Sequence, residues 1–491
     1  MYLARVLQNR KVAIVSSGTA WYDYIPVKVE GTTKDAVEVA GYIEVTNNTG
    51  AQGLTAWTDY IPVKIVGSGT RWSMNADGYI PIQFQAGQGF GDASYVLDFA
   101  GTVSLTPVVG TTAPTVTRAL NTATCVNSSG VIAVVNANLP RFDYNPVTLA
   151  CKGLLIEEAR TNICLQSQDM ATSWSTAATT VDTNQIASPD GTTNADKLTA
   201  DGTSAAHYLS NTTGTAGART TSVFAKAGTA TILQICTGGT AVPWANFDLT
   251  NGTAHANGSG TTAGIVSYGN GWYRCWMYTS DASAVDMRLA IVTATDSARL
   301  ATNTSTGYLY LWGGQCEVAA FVTSYIPTTT ASVLRNADVC SVATSNIPSF
   351  SATAGTVCSA FVSPQSNSVA ETVWQLDDGT ANELFVFSRN ANADTTVASS
   401  TDGGAGQFSI APGSLTNSAV SKAAYAWAAN DAAASLNGAT AVTDATGTLP
   451  TVTTLRIGDT TGSRSLNGHV QHIAYWPTRL TNAQLQVITA A

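Results

Sequence analysis

GNGWYRCWMYT, residues 269–279, decides how this chain folds. Alternation separates Tyr273, Cys275 and Met277 from Trp272, Arg274, Trp276 and Tyr278. A strand here would turn one apolar face to a core and carry a row of flat rings, interrupted by a guanidinium, on the other. The pattern recurs on both sides, in TTSVFAKAG (220–228), NFDLTNG (246–252) and GYLYLWGG (307–314), where Tyr308, Tyr310 and Trp312 share a face opposite Leu309 and Leu311. Short alternating strands punctuated by Gly, Asn and Asp at this spacing predict a β-sandwich or jelly roll over 151–343.

From 344 onward the text changes to GTVCSAFV, TVWQLDDG, ELFVFSR, AYAWAAND, TLRIGD and GHVQHIAYWPTRL, a second run of short strands. It closes on a predicted helix, TNAQLQVI, in which Thr481 and Gln484 form a capping box and Leu485 and Ile488 pack back. Toward the amino terminus, residues 91–150 mix short strands (SYVLDF, GVIAVV) with Pro107, Pro114, Pro140 and Pro146 and read as a connector. Residues 1–90 hold an imperfect repeat: AWYDYIPVKVEG (20–31) returns as AWTDYIPVKIVG (56–67), with an echo, DGYIPIQF, at 77–84. Proline cannot donate to a ladder, so these strands are expected to begin at Pro26, Pro62 and Pro81 or to lie on a sheet edge. The fold class expected is therefore all-β: a small β-domain (1–90), a connector (91–150), a jelly roll (151–343) and a second sandwich (344–491).

Composition agrees. Of 491 residues, 44% are hydrophobic and only 11% charged, so the chain is expected to fold rather than stay disordered, and it is long enough for several cores. With 23 Lys and Arg against 32 Asp and Glu, a net charge of −9 argues against nucleic-acid backbones and anionic membrane surfaces as partners. MYLARVLQNRKVAIV is broken by Gln8, Asn9, Arg10 and Lys11 and lacks the apolar run of a signal peptide; no stretch reaches the roughly 18 apolar residues of a membrane helix. Eight cysteines stand singly with no CxxC, the pattern of buried apolar fillers rather than of a zinc site.

Four stretches, RFDYNPVTLACKGLLIEEARTNI (141–163), GNGWYRC (269–275), LYLWGGQCEVAAFVTSYIPT (309–328) and GHVQHIAYWPTRLTNAQLQVIT (468–489), together resemble one family, the tailed-phage virion surface proteins. GLLIEEARTNI, ADKL (195–198), VFAKAG (223–228), GNGWYRC and SYIPT (324–328) are similar to the jelly roll that phage structural proteins share with carbohydrate-binding modules. The strands after 344 resemble concanavalin A-like (laminin-G-like) sandwiches. The resemblance spans roughly residues 115–491; the first ninety match only loosely. It implies assembly in a host bacterial cytoplasm with reduced cysteines, display on the virion surface, and a homotrimer.

Catalytic chemistry finds little foothold. GxSxG, HExxH and GxxxxGK[ST] are all missing, and GQGFG (87–91) lacks the strand-then-helix setting of a dinucleotide loop. His469 and His472, three apart in one predicted strand, should face opposite ways and share no metal; His207 and His255 have no ligand cluster. Glu157 and Glu158 should likewise diverge, and Asp377-Asp378-Gly379 reads as a hairpin turn, with calcium a minor alternative. No cofactor and no metal are expected.

The aromatic rows carry the functional expectation. Trp272, Arg274, Trp276 and Tyr278, with Tyr308, Tyr310 and Trp312, are glycan-platform candidates, because sugar C–H faces lie on rings while hydroxyls bond polar neighbours. The competing reading buries that face against a neighbouring module or subunit; Trp244, Trp374 and Trp427 share the ambiguity. Tyr24, Ile25, Pro26, Tyr60, Ile61 and Pro62 are the virion-attachment candidates. The expected function is non-enzymatic: a tail fibre held to a tail adaptor or capsid by residues 1–90 and displaying lectin-like sandwiches to host polysaccharide. A capsid decoration or head fibre is the nearest alternative, and a polysaccharide depolymerase the alternative of another class.

Overall fold

Alternation and turn chemistry build the strands as the sequence suggests. Before Trp272, the run Gly269, Asn270 and Gly271 takes φ of 75°, 50° and 79°, three consecutive left-handed residues that turn the chain from Thr261–Ser267 into Trp272–Thr279. Glycine and asparagine tolerate that region where other side chains meet their own backbone. The amides of Tyr268 and Trp272 close the turn, donating to the carbonyls of Trp272 and Gly269 at 2.8 Å each.

The computed structural model describes the strands Tyr22–Pro26, Tyr42–Asn47, Trp57–Pro62 and Tyr79–Gln83, and residues 92–490 except 215, 239–242, 258–259, 365–369 and 461–463. The chain divides into two units, 1–88 and 89–491, and the described secondary structure is almost wholly β.

In the first unit Tyr22–Pro26 pairs with Tyr79–Gln83, and Tyr42–Asn47 with Trp57–Pro62, all antiparallel. Tyr24, Ile25 and Pro26 lie in the first of these strands and Tyr60, Ile61 and Pro62 in Trp57–Pro62. The described strands reach their prolines at the far end rather than starting there, and Pro81 stands mid-strand opposite Tyr24. Among the described residues each of these strands pairs along one edge only, and a residue without N–H does no harm on the other. Val27-Lys28-Val29, Val63-Lys64-Ile65 and GQGFG lie outside the described residues.

The second unit holds two sandwiches, one interrupted by the other. The first sheet of the interrupted, or host, sandwich runs across Val442–Asp444, Asp431–Leu436, Val420–Ala428, Ala354–Val362, Gly468–Trp476, Cys151–Ile156 and Phe142–Tyr144, with Tyr95–Asp98 also on Gly468–Trp476. Its second sheet runs Ala405–Ile410, Thr396–Asp402, Leu384–Arg389, Glu371–Asp377, Thr454–Ile457, Val339–Ala343 and Thr115–Thr117. Segment 91–150 is therefore no connector: its strands Tyr95–Asp98, Thr115–Thr117 and Phe142–Tyr144 belong to the host sandwich, as does Cys151–Ile156 from the span expected to open the jelly roll. Tyr95, Leu97, Leu154 and Ile156 enter one core with Trp374, Phe385, Tyr425, Trp427 and Ile473.

Residues between Arg160 and Arg335 form the inserted sandwich. Its two antiparallel sheets each have six strands. One runs Ser175–Ala177, His207–Thr212, Asp286–Val292, Ile232–Cys236, Trp244–Asp248 and Thr253–Asn257; the other runs Thr179–Ala187, Thr193–Ala200, Tyr308–Glu317, Arg219–Ala227, Trp272–Thr279 and Thr261–Ser267. Leu209, Val223, Leu233, Phe247, Cys275, Met277, Leu289 and Leu311 fill the space between them.

At the carboxy end, Asn482–Thr489 is the expected helix. Its cap is the capping box read from Thr481 and Gln484, and Leu485 is buried against Cys358, Ala424 and Trp476, with Ile488 packed beside it.

Candidate functional site

The aromatic face of the inserted sandwich is the sheet surface turned away from its core. Register aligns Trp276 with Ser222 and Gly264, Arg274 with Phe224 and Val266, and Trp272 with Lys226; Tyr310 and Trp312 pair with Lys226 and Phe224 on the other side. Both rows therefore lie on one surface, as alternation predicts.

What covers that surface divides the candidates. The hairpin Ala123–Val126/Ile132–Val135 lays Val126 and Ile132 over its centre, and Tyr325 seals it from the loop after Tyr308–Glu317. Trp312 is 0% exposed, tilted against Tyr325 with centroids 4.7 Å apart and against Phe224 at 5.3 Å. Trp272 is buried with its indole N–H on the Ala187 carbonyl (3.1 Å), and Arg274 is buried over the Phe224 ring, donating to Ser222 Oγ at 3.2 Å. Trp272, Arg274 and Trp312 are thus core of a second layer and are withdrawn as ligand platforms. Burial of a large ring against a neighbouring segment gains more than its exposure.

Trp276, Tyr278, Tyr308 and Tyr310 remain half-buried at the margins. Trp276 lies flat over Gly264, where a Cβ would stand 2.5 Å from the ring. Tyr308 and Tyr310 meet edge to face with centroids 5.5 Å apart. Lys197 Nζ sits 5.2 Å from the Tyr308 centroid and 3.1 Å from Asp182 Oδ2. Two rings, an ammonium and a carboxylate thus share one accessible patch, able to stack on a sugar face and to bond its hydroxyls. Trp374 and Trp427 are host-core residues, whereas Trp244 is half-buried on the opposite sheet.

Two of the resemblance-bearing stretches, 141–163 and 309–328, meet elsewhere, at the neck between the sandwiches. Arg141 Nη1 binds Glu157 Oε2 at 2.7 Å, and its Nη2 binds Asp338 Oδ2. Arg118 Nη1 reaches Asp338 Oδ1 at 2.7 Å and Arg335 Nη1 reaches Glu157 Oε2 at 2.8 Å. Ser324, from the SYIPT stretch, donates its hydroxyl to Glu157 Oε2 at 2.6 Å. All three guanidinium groups are fully buried. Burial, the largest influence on the Glu157 carboxyl, pushes it upward; Arg335 and Arg141 together with the Ser324 bonds outweigh that and hold it well below the usual carboxylate range. The chain enters the insertion at Glu157 and leaves it at Asp338, whose amide donates to the Glu157 carbonyl at 3.0 Å. Glu158 turns away, as expected, to pair with Arg160 and to accept from Asn467. A shallow cleft of about 420 Å³ beside this network is lined by Arg118, Leu334, Asn336 and Val339.

The histidines depart from strict alternation. Ala360 pairs with His472, Phe361 with Val470 and Val362 with His469, so one extra residue, Gln471, bulges from Gly468–Trp476. His469 and His472 consequently share the outer face instead of opposing each other. His469 Nε2 lies 2.8 Å from Asp143 Oδ2, which also meets Lys152 Nζ at 2.5 Å. Burial would raise the Asp143 carboxyl, but His469 and Lys152 bring it down to about 2. Burial, helped by Lys422, lowers His472 to about 4. His207 is held between the carbonyls of Ala178 and Asn303 at 2.7 and 3.1 Å.

Among the described residues no group of three or more His, Cys, Asp or Glu is arranged to hold a metal, and Asp377 is engaged by Arg456 (2.6 Å) and Gln375 (2.8 Å). All eight cysteines are free thiols, seven of them buried and Cys151 partly so. No described helix is long and apolar enough to cross a membrane.

No family model and no curated protein matches the chain. Among solved structures it is similar to the CBM40 of a Ruminococcus gnavus IT-sialidase bound to α2,3-sialyllactose, 14% identical over 28% of this chain and 84% of that one, with a TM-score of 0.25. A native heptameric SAP-like pentraxin from Limulus polyphemus is 13% identical over 29% of this chain and 73% of that one, TM-score 0.21. The LG1-3 region of a laminin α2 chain is 9% identical over 54% and 63%, TM-score 0.21.

Proposed function

We propose that the chain is a glycan-binding adhesion protein of a tailed-phage virion, a homotrimeric tail fibre whose residues 1–90 fasten it to a tail adaptor or capsid. Its work is binding without bond cleavage, at the virion surface, after assembly in the host bacterial cytoplasm. The virion reading rests on the resemblance of the stretches at 141–163, 269–275, 309–328 and 468–489.

The glycan reading is carried by one observation: Tyr308 and Tyr310 stay accessible at the margin of a face whose centre is sealed, with Lys197 and Asp182 beside them. Rings meant only for packing would lie under the same cover as Trp312. A pyranose C–H face on Tyr310 would leave its hydroxyls within reach of an ammonium and a carboxylate, the donor and acceptor that a polyhydroxylated ligand needs.

Tyr310→Ala tests it. Binding of the purified protein to host cells is expected to fall by roughly two- to tenfold, the worth of one aromatic contact. The melting temperature should change little; undiminished binding would remove this patch from the account. Separately, deleting residues 1–90 is expected to yield particles lacking the protein, and particles that still carry it would refute the attachment role.

A further inference from the structure

The other sheet of the inserted sandwich has an outer surface as well, of which the sequence pointed only to Trp244. Register sets Arg288, Cys236 and Trp244 side by side across three adjacent strands, with Ser210 beyond Arg288. Met287, Leu289, Leu233, Ile235, Ala245 and Phe247 of the same strands face the core, so these neighbours face outward. Residues 293–303 fold over the adjoining Gln234 and Asn246, which bond the carbonyls of Ala298, Thr295 and Ser297. The Trp244 indole N–H is pinned to the Ser297 carbonyl at 3.2 Å.

Arg299 emerges from that segment. Its Nη2 donates to the Thr237 carbonyl at 2.8 Å, one residue past Cys236, and its Nε is shut off from solvent without a partner. No carboxylate pairs with it among the described residues. The nearest acid on the strand row, Asp286, is already taken by Arg288 Nε and Nη2 (2.8 and 2.7 Å) and by the Gly238 amide. Arg288 in turn lies 5.7 Å from the Tyr208 ring centroid. In a chain of net charge −9, a half-buried guanidinium without a carboxylate partner among the described residues thus extends from the segment that holds the Trp244 indole, while Tyr208 lies across the same face beside Arg288. A guanidinium with no carboxylate partner keeps donors free for a ligand, and its planar fork matches a carboxylate.

We infer that this face, where Arg299 reaches the end of the strand flanked by Trp244 and Arg288, is a second saccharide site and takes a carboxylate-bearing sugar. Arg299 receives the carboxylate, Trp244 borders that sugar residue, and Tyr208, three strands away on the same face, meets the next residue of the saccharide. The site is separate from the Tyr308–Tyr310 patch on the opposite sheet and stands or falls independently of it.

Titration calorimetry of the full chain with oligogalacturonate, oligomannuronate and a hyaluronan hexasaccharide tests the inference, with methyl-esterified oligogalacturonate as the uncharged match. At least one acidic probe is expected to bind, and its esterified form to bind far more weakly. Arg299→Gln should weaken that binding by about ten- to a hundredfold, the range of a charge-assisted hydrogen bond. Arg299→Lys, which keeps the charge but not the fork, should recover only part of it. An unchanged melting curve for Arg299→Lys keeps the comparison valid if Arg299→Gln is unstable. Failure of all three probes to bind, equal binding of the ester, or full affinity in Arg299→Lys together with Arg299→Gln would each overturn it.

Discussion

Trp312 and Tyr310 are two positions apart on one strand and point the same way, yet one is sealed and the other is not. The difference comes from residues outside the strand: Tyr325 packs on Trp312, and Val126 and Ile132, more than a hundred positions away, join the same cluster, and nothing in GYLYLWGG announces them. Trp312→Ala should therefore cost about 3–5 kcal/mol, the range for emptying a core of a large ring, read as a drop in the denaturant midpoint. A loss below about 1 kcal/mol would return Trp312 to the surface. Protonation supplies a second residue-level test. An unfolded histidine takes a proton near 6.5, but folded His472 refuses it until about 4, so stability should decline as pH falls across that window. Asp143, depressed from 3.8 to about 2, and Glu157, depressed below 4.5, then extend the decline toward pH 2 as their native charges are lost. Denaturant midpoints measured against pH should show both stages, and His472→Gln should shrink the upper one, which His469, also lowered by burial, shares; a flat profile from 6.5 to 4 would contradict it. Residue type and face were legible in the sequence at Tyr308, Tyr310 and Trp276. Exposure was not, because it depends on what packs on top.

At the scale of single elements, period-two alternation held wherever a strand was regular and failed at bulges. Gln471 is the clearest case: one inserted residue moved His472 onto the face of His469, which no count of spacing reveals. Gly153 marks another irregularity, between Cys151 and Leu154, with φ of 105° and a hypothetical Cβ only 2.3 Å from the Val470 carbonyl oxygen. Gly153→Ala is expected to cost at least about 2 kcal/mol from backbone conformation and clash together, and a melting temperature within a degree of the parent would disprove the close approach. Local chemistry that needs no partner strand was read correctly. The capping box of Thr481 and Gln484 closes within four residues, so the last helix was visible in the text alone.

For the molecule as a whole, the decisive feature is the interruption of the host sandwich. Tyr95–Asp98, Thr115–Thr117, Phe142–Tyr144 and Cys151–Ile156 precede the insertion and complete sheets whose other strands follow it. A fragment of residues 344–491 should thus expose the sheet surface those strands cover and give no cooperative thermal transition, whereas residues 89–491 should melt cooperatively. A sharp transition from the shorter fragment would show the earlier strands to be dispensable. The buried network of Arg118, Arg141, Arg335, Glu157 and Asp338 explains why RFDYN, LLIEEAR and SYIPT stand out as text: they tie the two necks of the insertion together. Removing one member would strand a buried charge, which costs more than the pair itself contributes. By itself the sequence determined the all-β class, the strand faces, the turns and the final helix, because each depends on residues within a few positions of one another. Which strands share a sheet, which aromatic rings are sealed and where the arginines meet were decided only by the tertiary structure, since long-range pairing and burial join segments that alternation, a local signal, cannot connect.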